Sequence, residues 1–227
     1  MTVYQERFPL VLLPGPDTPV AEVAGLVRAL PAALRPVVLR PGTGASTPPG
    51  PPEVLARQVR DAGVRGPFAV HGWGTGAYLG LALAGVLERA LGHAVCTTLF
   101  VSDAVAPGRT TGSPVPADVR RTVTESRLVV CTDRTSARFD GSGLRTWCRH
   151  STSGTEFVTL PSGPRAARAA ALSRLIAARL PPAAGRPSAT RAARTTTAHV
   201  PGGDVAEVAQ ADAVRAGAAC ADGGEVG

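Results

Sequence analysis

The sequence predicts an α/β fold in which a mostly parallel sheet carries helices on both faces. Short apolar runs alternate with segments whose apolar residues recur at helical spacing. Gly and Pro, with 26 and 21 residues in a chain of 227, concentrate between these segments. Strands that alternate with helices pair in parallel, because each helix returns the chain to the same edge of the sheet. The runs lack polar alternation, which indicates strands buried on both faces.

The predicted strands are short and are closed by turn residues. The first strand ends at Pro14-Gly15-Pro16 and the second at Pro41-Gly42, sequences that stop a strand and turn the chain. The third strand runs directly into a glycine-rich segment after residue 71. The six predicted strands cover residues 9–13, 36–39, 68–71, 97–102, 128–131 and 157–160.

Segments with helical periodicity lie between these strands. Apolar residues recur at i, i+3, i+4 and i+7 from Val20 to Leu30, and Pro31 ends that helix. Further helices are predicted over 53–62, from the glycine-rich turn to about residue 90, over 144–150 and over 165–180. Beyond Pro181 the chain has almost no large apolar residue and cannot bury enough surface to fold. We therefore expect one domain over 1–180 and a disordered tail over 181–227.

The charge and the cysteines argue against several classes of protein. The net charge of +7 comes from 24 arginines without a lysine, and these are scattered rather than grouped with aromatic residues as nucleic-acid binding requires. The four cysteines form no C-x-x-C pair, so we expect no metal and no cofactor. Residues 1–8 contain no apolar h-region, so we expect no signal peptide before the first strand. No apolar run reaches the roughly 18 residues of a membrane span. We expect a cytoplasmic protein that binds neither nucleic acid nor membrane.

The glycine-rich segment is the most informative part of the sequence. The frame Gly72-x-Gly74-x-Gly76 matches both outer glycines of the G-x-S-x-G nucleophile elbow, a strand–turn–helix motif of hydrolases. Gly74 occupies the position of the nucleophilic serine. Glycine has no side chain and cannot attack an acyl carbon.

The same residues also fit another motif. Gly72-x-Gly74-x-x-Ala77 satisfies the G-x-G-x-x-A form of the dinucleotide-binding turn. Asp103 ends the next strand, where a ribose-binding acid stands, but it lies 27 residues beyond Gly76 (103 − 76) rather than about 20. A dinucleotide-binding turn normally follows the first strand of its fold, whereas the glycine-rich turn of this chain follows the third. A plain tight turn in an α/β domain is the third interpretation.

The chain resembles the thioesterases of polyketide and nonribosomal-peptide biosynthesis, and their free-standing editing members most closely. Residues 10–15 look like the first strand and the loop that supplies an oxyanion-hole amide, here that of Gly15. The other matching stretches are 68–76 for the elbow, 99–107 for the next strand, and 147–164 for the last helix, strand and histidine loop. The resemblance implies an α/β-hydrolase-like fold and a partner that is an acyl or peptidyl carrier protein or its thioester cargo.

The departures from this family concern the catalytic residues. The serine falls on Gly74, and the histidine falls on Pro164, which has no titratable group to act as a base. The resemblance offers two positions for the catalytic acid. The pattern of the macrocyclising members places it at Asp103, and that of the editing members at Asp133 or Asp140. Only about twenty residues separate Pro107 from the fifth strand, so we expect the family's helical lid to be reduced.

The remaining side chains around the elbow supply weak candidates. Asp103 and His71 are the candidate catalytic residues, since ligands collect at the carboxyl edge of an open α/β sheet. Trp73, Thr75 and Gly15 are the candidate substrate-binding residues. Thr75 stands one place too late to be the nucleophile, and Trp73 is either a wall for substrate stacking or a plug over a closed pocket.

Three functions remain open from the sequence. The first is a thioesterase homologue without serine-hydrolase activity that binds or acts on carrier-bound acyl groups. The second is a repurposed, non-hydrolytic enzyme on the same fold that uses Asp103 or His71. The third is a dinucleotide-binding domain.

Overall fold

A computed structural model describes residues 7–40, 51–93, 95–104, 119–133 and 146–180. The regular elements in chain order are β1 (Phe8–Leu13), α1 (Val20–Ala29), β2 (Leu34–Val38), α2 (Pro52–Asp61), β3 (Phe68–Trp73), α3 (Thr75–Leu91), β4 (Cys96–Ser102), a 3-10 turn (Val119–Arg121), β5 (Arg127–Asp133), β6 (Thr155–Leu160) and α4 (Arg165–Arg179). A single helical turn also occupies 146–148.

The six strands form one sheet in the order β2-β1-β3-β4-β5-β6. Every neighbouring pair is parallel, so the predicted α/β class is confirmed. All six strands end at one edge, and the loops that follow β1, β3 and β4 meet at the centre of that edge. The elbow therefore lies beside the loop after β1 and the end of β4.

The helices cover both faces of this sheet. The apolar side chains of α2 and α3 pack with Val11, Val70 and Leu99 on one face. Those of α1 and α4 pack with Leu12 and Phe100 on the other face, and these two helices also contact each other. Successive residues of a strand point to opposite faces, so each strand contributes to both clusters.

Several predicted element boundaries were wrong by a few residues, and β3 matters most. The predicted strand stopped at residue 71, whereas Gly72 and Trp73 continue the ladder opposite Val101 and Ser102 of β4. β2 lies at Leu34–Val38 rather than at 36–39, and β5 and β6 begin at residues 127 and 155. The predicted tail lies outside the described residues.

Among the helices in the described part of the chain, none combines the length and apolar character that crossing a membrane requires.

Candidate functional site

The turn between β3 and α3 consists of a single residue. β3 ends at Trp73, α3 begins at Thr75, and Gly74 joins them with φ 51° and ψ −120°. This conformation is costly for any residue with a side chain. A sharp, strained strand-to-helix turn is the geometry that a nucleophile elbow requires.

The two outer glycines are fixed by close backbone contacts. A Cβ on Gly72 would lie 2.4 Å from the Cα of Ala77, and one on Gly76 would lie 1.9 Å from the carbonyl oxygen of Leu13. Neither position accepts a side chain, because the start of α3 crosses β3 and the end of β1 at backbone contact distance. The outer glycines of the motif are therefore required by the packing.

Gly74 differs from the outer glycines because its surroundings are open. A Cβ there would meet no atom of the described residues within 4 Å, and the residue is partly exposed. The turn therefore has space for a side chain at residue 74.

The loop after β1 lies against this turn. A Cβ on Gly15 would be 2.9 Å from Oγ1 of Thr75, 2.9 Å from the carbonyl oxygen of Trp73 and 3.3 Å from the amide nitrogen of Thr75. The amide after the nucleophile position and an amide from this loop are the two donors of a hydrolase oxyanion hole. Gly15 and Thr75, both candidate binding residues, are thus brought together.

His71 is close to the elbow but is fully buried, on the α1/α4 face of the sheet. Its Nε2 is 2.9 Å from Oγ of Ser102, its ring centroid is 3.9 Å from that of Trp73, and its Nδ1 has no hydrogen-bond partner among the described residues. Burial lowers the pKa of His71 to about 3, since a charged imidazole loses its hydration there. His71 is therefore neutral near pH 7.

Asp103 follows β4 and has a backbone φ of 53°, positive for a residue other than glycine. Its carboxylate accepts long hydrogen bonds from Arg168 of α4, with Nη2 at 3.4 Å from Oδ1 and 3.3 Å from Oδ2. The aspartate side chain is 41% exposed, so this ion pair is screened by water. Asp103 therefore stands at the carboxyl edge as expected, with a cation as its partner.

A cleft of about 160 Å³ opens beside these residues, between the N-terminal halves of α1 and α4. Trp73 is 2% exposed and contributes to the lining, as does Ser102. The full lining consists of Glu22, Leu26, Trp73, Ser102, Asp103, Leu160, Arg165, Arg168, Ala169 and Leu172. Trp73 is thus a wall of a cleft, next to the elbow turn rather than above it.

The other two acid candidates stay predictions. Asp133 ends β5 and its side chain is not described, while Asp140 and most of the shortened lid region lie outside the described residues. Pro164 is the N-cap residue of α4, which confirms the helix predicted to begin at 165.

Comparison with solved structures identifies the fold. The structure matches ClbQ of the colibactin NRPS/PKS pathway with a TM-score of 0.58 and 14% identity. The match covers 76% of this chain and 95% of ClbQ. RedJ, a thioesterase of the prodiginine pathway of Streptomyces coelicolor, gives a TM-score of 0.59 at 17% identity, covering 76% of this chain and 90% of RedJ. The chain has the fold of biosynthetic thioesterases.

Further thioesterase-fold structures agree with this result. The NocB thioesterase domain, in covalent complex with a fluorophosphonate nocardicin G analog, matches with a TM-score of 0.55 and 19% identity over 75% of this chain and 94% of that domain. No protein-family model and no curated protein matches the sequence. The predicted α/β-hydrolase-like fold is confirmed, and the likeness at these identities concerns the thioesterase fold alone.

Sequence reasoning did not single out Ser102, Glu22, Arg165 or Arg168. Ser102 appeared only as the last residue of a strand, and the arginines were counted as scattered charge. Arg165, Arg168, Ala169 and Leu172 follow the i, i+3, i+4, i+7 spacing of one helix face, a signal that could have located this wall of the cleft.

Proposed function

We propose that this protein binds acyl groups carried as thioesters on an acyl or peptidyl carrier protein of a polyketide or nonribosomal-peptide pathway. It does so in the cytoplasm and without forming an acyl-enzyme at the elbow. The thioesterase fold supports the class of substrate, and Gly74 supports the absence of covalent chemistry.

One observation carries the proposal: the elbow retains its conformation, its crowded outer glycines and its open central space, while the central residue has no side chain. A domain that no longer used this turn could replace its strained glycine geometry with an ordinary loop. The retained geometry favours a continuing role in binding a carbonyl group.

The binding chemistry available at the turn is a pair of backbone amides. The amide of Thr75 stands at the start of α3, and Gly15 lies in contact with it. Preorganised amide donors stabilise a carbonyl oxygen or an oxyanion without a nucleophile. Removal of the nucleophile from the triad of subtilisin lowers the rate about 10⁶-fold, so a turn with glycine at residue 74 is suited to binding and not to hydrolysis.

The second candidate is a non-hydrolytic enzyme that uses Asp103 and His71. It is favoured by the contact between His71 and Ser102 and by the position of Asp103 on the cleft. For this candidate, Asp103→Ala should abolish formation of the product of the biosynthetic pathway. An unchanged amount of that product would contradict the candidate. Dinucleotide binding at the glycine turn stays a prediction, and calorimetry with NAD(P) tests it.

The test of the main proposal uses hexanoyl-N-acetylcysteamine and the hexanoyl carrier-protein thioester. We expect no hydrolysis by the natural protein or by Gly74→Ser, because Pro164 supplies no general base. We expect saturable thioester binding that Gly15→Ala weakens, since its Cβ would lie 2.9 Å from Oγ1 of Thr75. Gly25→Ala, in α1 and away from the turn, is the matched control.

Two results would contradict the proposal. One is thioester hydrolysis by the natural protein that a single substitution abolishes. The other is thioester binding that is unaffected by Gly15→Ala while the variant remains folded.

A further inference from the structure

The cleft between α1 and α4 has a lining that the thioester site does not explain. It lies on the face of the sheet opposite α3, and Leu26, Trp73, Leu160 and Leu172 form the apolar part of its lining. Charged side chains from both helices form most of the rest. Apolar side chains with convergent polar groups that fix orientation are the elements of a small-molecule site.

The charges on the two walls are of opposite sign. Glu22 comes from the first turn of α1, and Arg165 is the first residue of α4. Neither forms a salt bridge with another residue in the part of the chain that is described. Asp103 and Arg168 add a second charge of each sign, already joined at 3.3 Å. The four charges of the lining therefore sum to zero, with a negative charge on the α1 wall and positive charges on the α4 wall.

The two arginines stand at an electrostatically unfavourable place. Arg165 and Arg168 lie in the first turn of α4, which contains no acidic residue, and cations near a helix N-terminus are destabilised by its dipole. A carboxylate in the cleft would offset that cost on the α4 side, while Glu22 would attract a cation on the α1 side.

The volume limits the size of the apolar group. A dry cavity of about 150 Å³ holds one benzene molecule, so the 160 Å³ cleft accepts a side chain of about that size. A long acyl chain does not fit within it. A branched aliphatic side chain does.

We propose that this cleft binds a free α-amino acid with an apolar side chain of about the size of leucine. The carboxylate pairs with Arg165 and with Arg168, the ammonium group pairs with Glu22, and the side chain packs on Trp73 and Leu172. Asp103 is the counterion that holds Arg168 until the ligand carboxylate arrives. This site lies beside the elbow, on the other side of Trp73 from Gly74, and does not rest on the proposed function.

The experiment follows the two indole N–H resonances of the full-length protein by NMR. Trp73 lines the cleft, whereas Trp147, the other tryptophan of the chain, is buried in the cluster on the opposite face. L-leucine should shift the Trp73 resonance in a saturable way and leave that of Trp147 unchanged. Trp147 is therefore an internal control for general effects.

Three probes separate the parts of the ligand. 4-Methylpentanoate is leucine without its amino group, 3-methylbutylamine is leucine without its carboxyl group, and glycine lacks the side chain. We expect leucine to bind roughly twofold to fivefold more tightly than either of the first two, the range of partly exposed ion pairs. Glycine should produce no saturable shift.

Substitutions then assign each charge to its residue. Glu22→Gln should remove only the advantage of leucine over 4-methylpentanoate. Arg165→Gln should reduce only the advantage of leucine over 3-methylbutylamine, because Arg168 still pairs with the carboxylate. Arg174→Gln, on an exposed part of the same helix, should change neither. Equal binding of leucine and both analogues, or no Trp73 shift up to about 10 mM leucine, would overturn the proposal and leave thioester binding at the elbow unaffected.

Discussion

Alanine substitutions at the elbow should distinguish Gly72 and Gly76, which close packing requires, from Gly74, which only the backbone conformation of the turn requires. In Gly76→Ala, the new Cβ would lie 1.9 Å from the carbonyl oxygen of Leu13, and in Gly72→Ala it would lie 2.4 Å from the Cα of Ala77. Both contacts are with backbone, which cannot rotate away, so β1, β3 or α3 must move by about 1 Å or more. Such overpacking belongs to the severe class of single substitutions, which destabilise by about 4 kcal/mol or more.

Gly74→Ala should be far milder. Its Cβ would meet nothing within 4 Å among the described residues, so the cost is the strain of a side chain at φ 51°, about 1–3 kcal/mol. For a domain of this size, each kcal/mol lowers Tm by about 2–4 °C. We expect a loss of roughly 2–12 °C for Gly74→Ala, and a larger loss or no cooperative transition for the other two variants.

Urea and thermal unfolding followed by circular dichroism measure these differences. Gly92→Ala is the control, because Gly92 also has a positive φ of 72° and open surroundings, and it should cost about 1 kcal/mol. If Gly76→Ala were no less stable than Gly74→Ala, then α3 would not cross the end of β1 as described, and the elbow geometry would be refuted.

Three further predictions concern stability. Burial lowers the pKa of His71 to about 3, so the unfolded chain binds the extra proton, and stability falls by about 1.4 kcal/mol per unit as pH decreases from 6.5 toward 3. In pH-dependent urea unfolding, His71→Gln should reduce that slope and leave the contributions of His150, whose pKa burial also lowers, and of Glu156, whose pKa the hydrogen bond from Arg179 lowers; an unchanged slope would contradict the burial of His71. Gly25→Ala should raise the free energy of unfolding by about 0.4–1 kcal/mol, since the nearest atom to the new Cβ is 3.8 Å away, and a loss would indicate tighter packing of α1 on α4. A double-mutant cycle of Asp103→Asn and Arg168→Gln should give a coupling below about 1 kcal/mol, because the side chains are 41% and 27% exposed; a larger value would indicate a dehydrated pair.

The sequence was sufficient for the fold class and the order of the elements because those depend on local patterns. Apolar runs and helical periodicity identified all six strands, and the position of the glycine turn after the third strand was correct. The predicted end of β3 was wrong because a Gly-x-Gly-x-Gly segment is typical of a turn from its first glycine onward. The chain reverses within one residue, so Gly72 and Trp73 still pair with β4.

The site was less predictable because it depends on which side chains share a face. His71 was correctly expected beside the elbow, but alternation along a strand does not tell which helices cover that side. α1 and α4 pack on that side, and His71 is fully buried there. Glu22 and Arg165 are 143 residues apart (165 − 22), and only the contact of α1 with α4 brings them to one cleft.

Glycine rather than serine at residue 74 has two opposite effects on this turn. A serine at φ 51° and ψ −120° would carry strain of about 1–3 kcal/mol, which a hydrolase tolerates because the strain presents its nucleophile. Glycine adopts the same conformation without a Cβ penalty, so the turn is stabilised while covalent chemistry is lost. The contacts of Gly72 with Ala77 and of Gly76 with Leu13 and Gly15 are between backbone atoms and need no side chain at residue 74. The proposed binding of a carbonyl group at this turn therefore does not depend on a nucleophile.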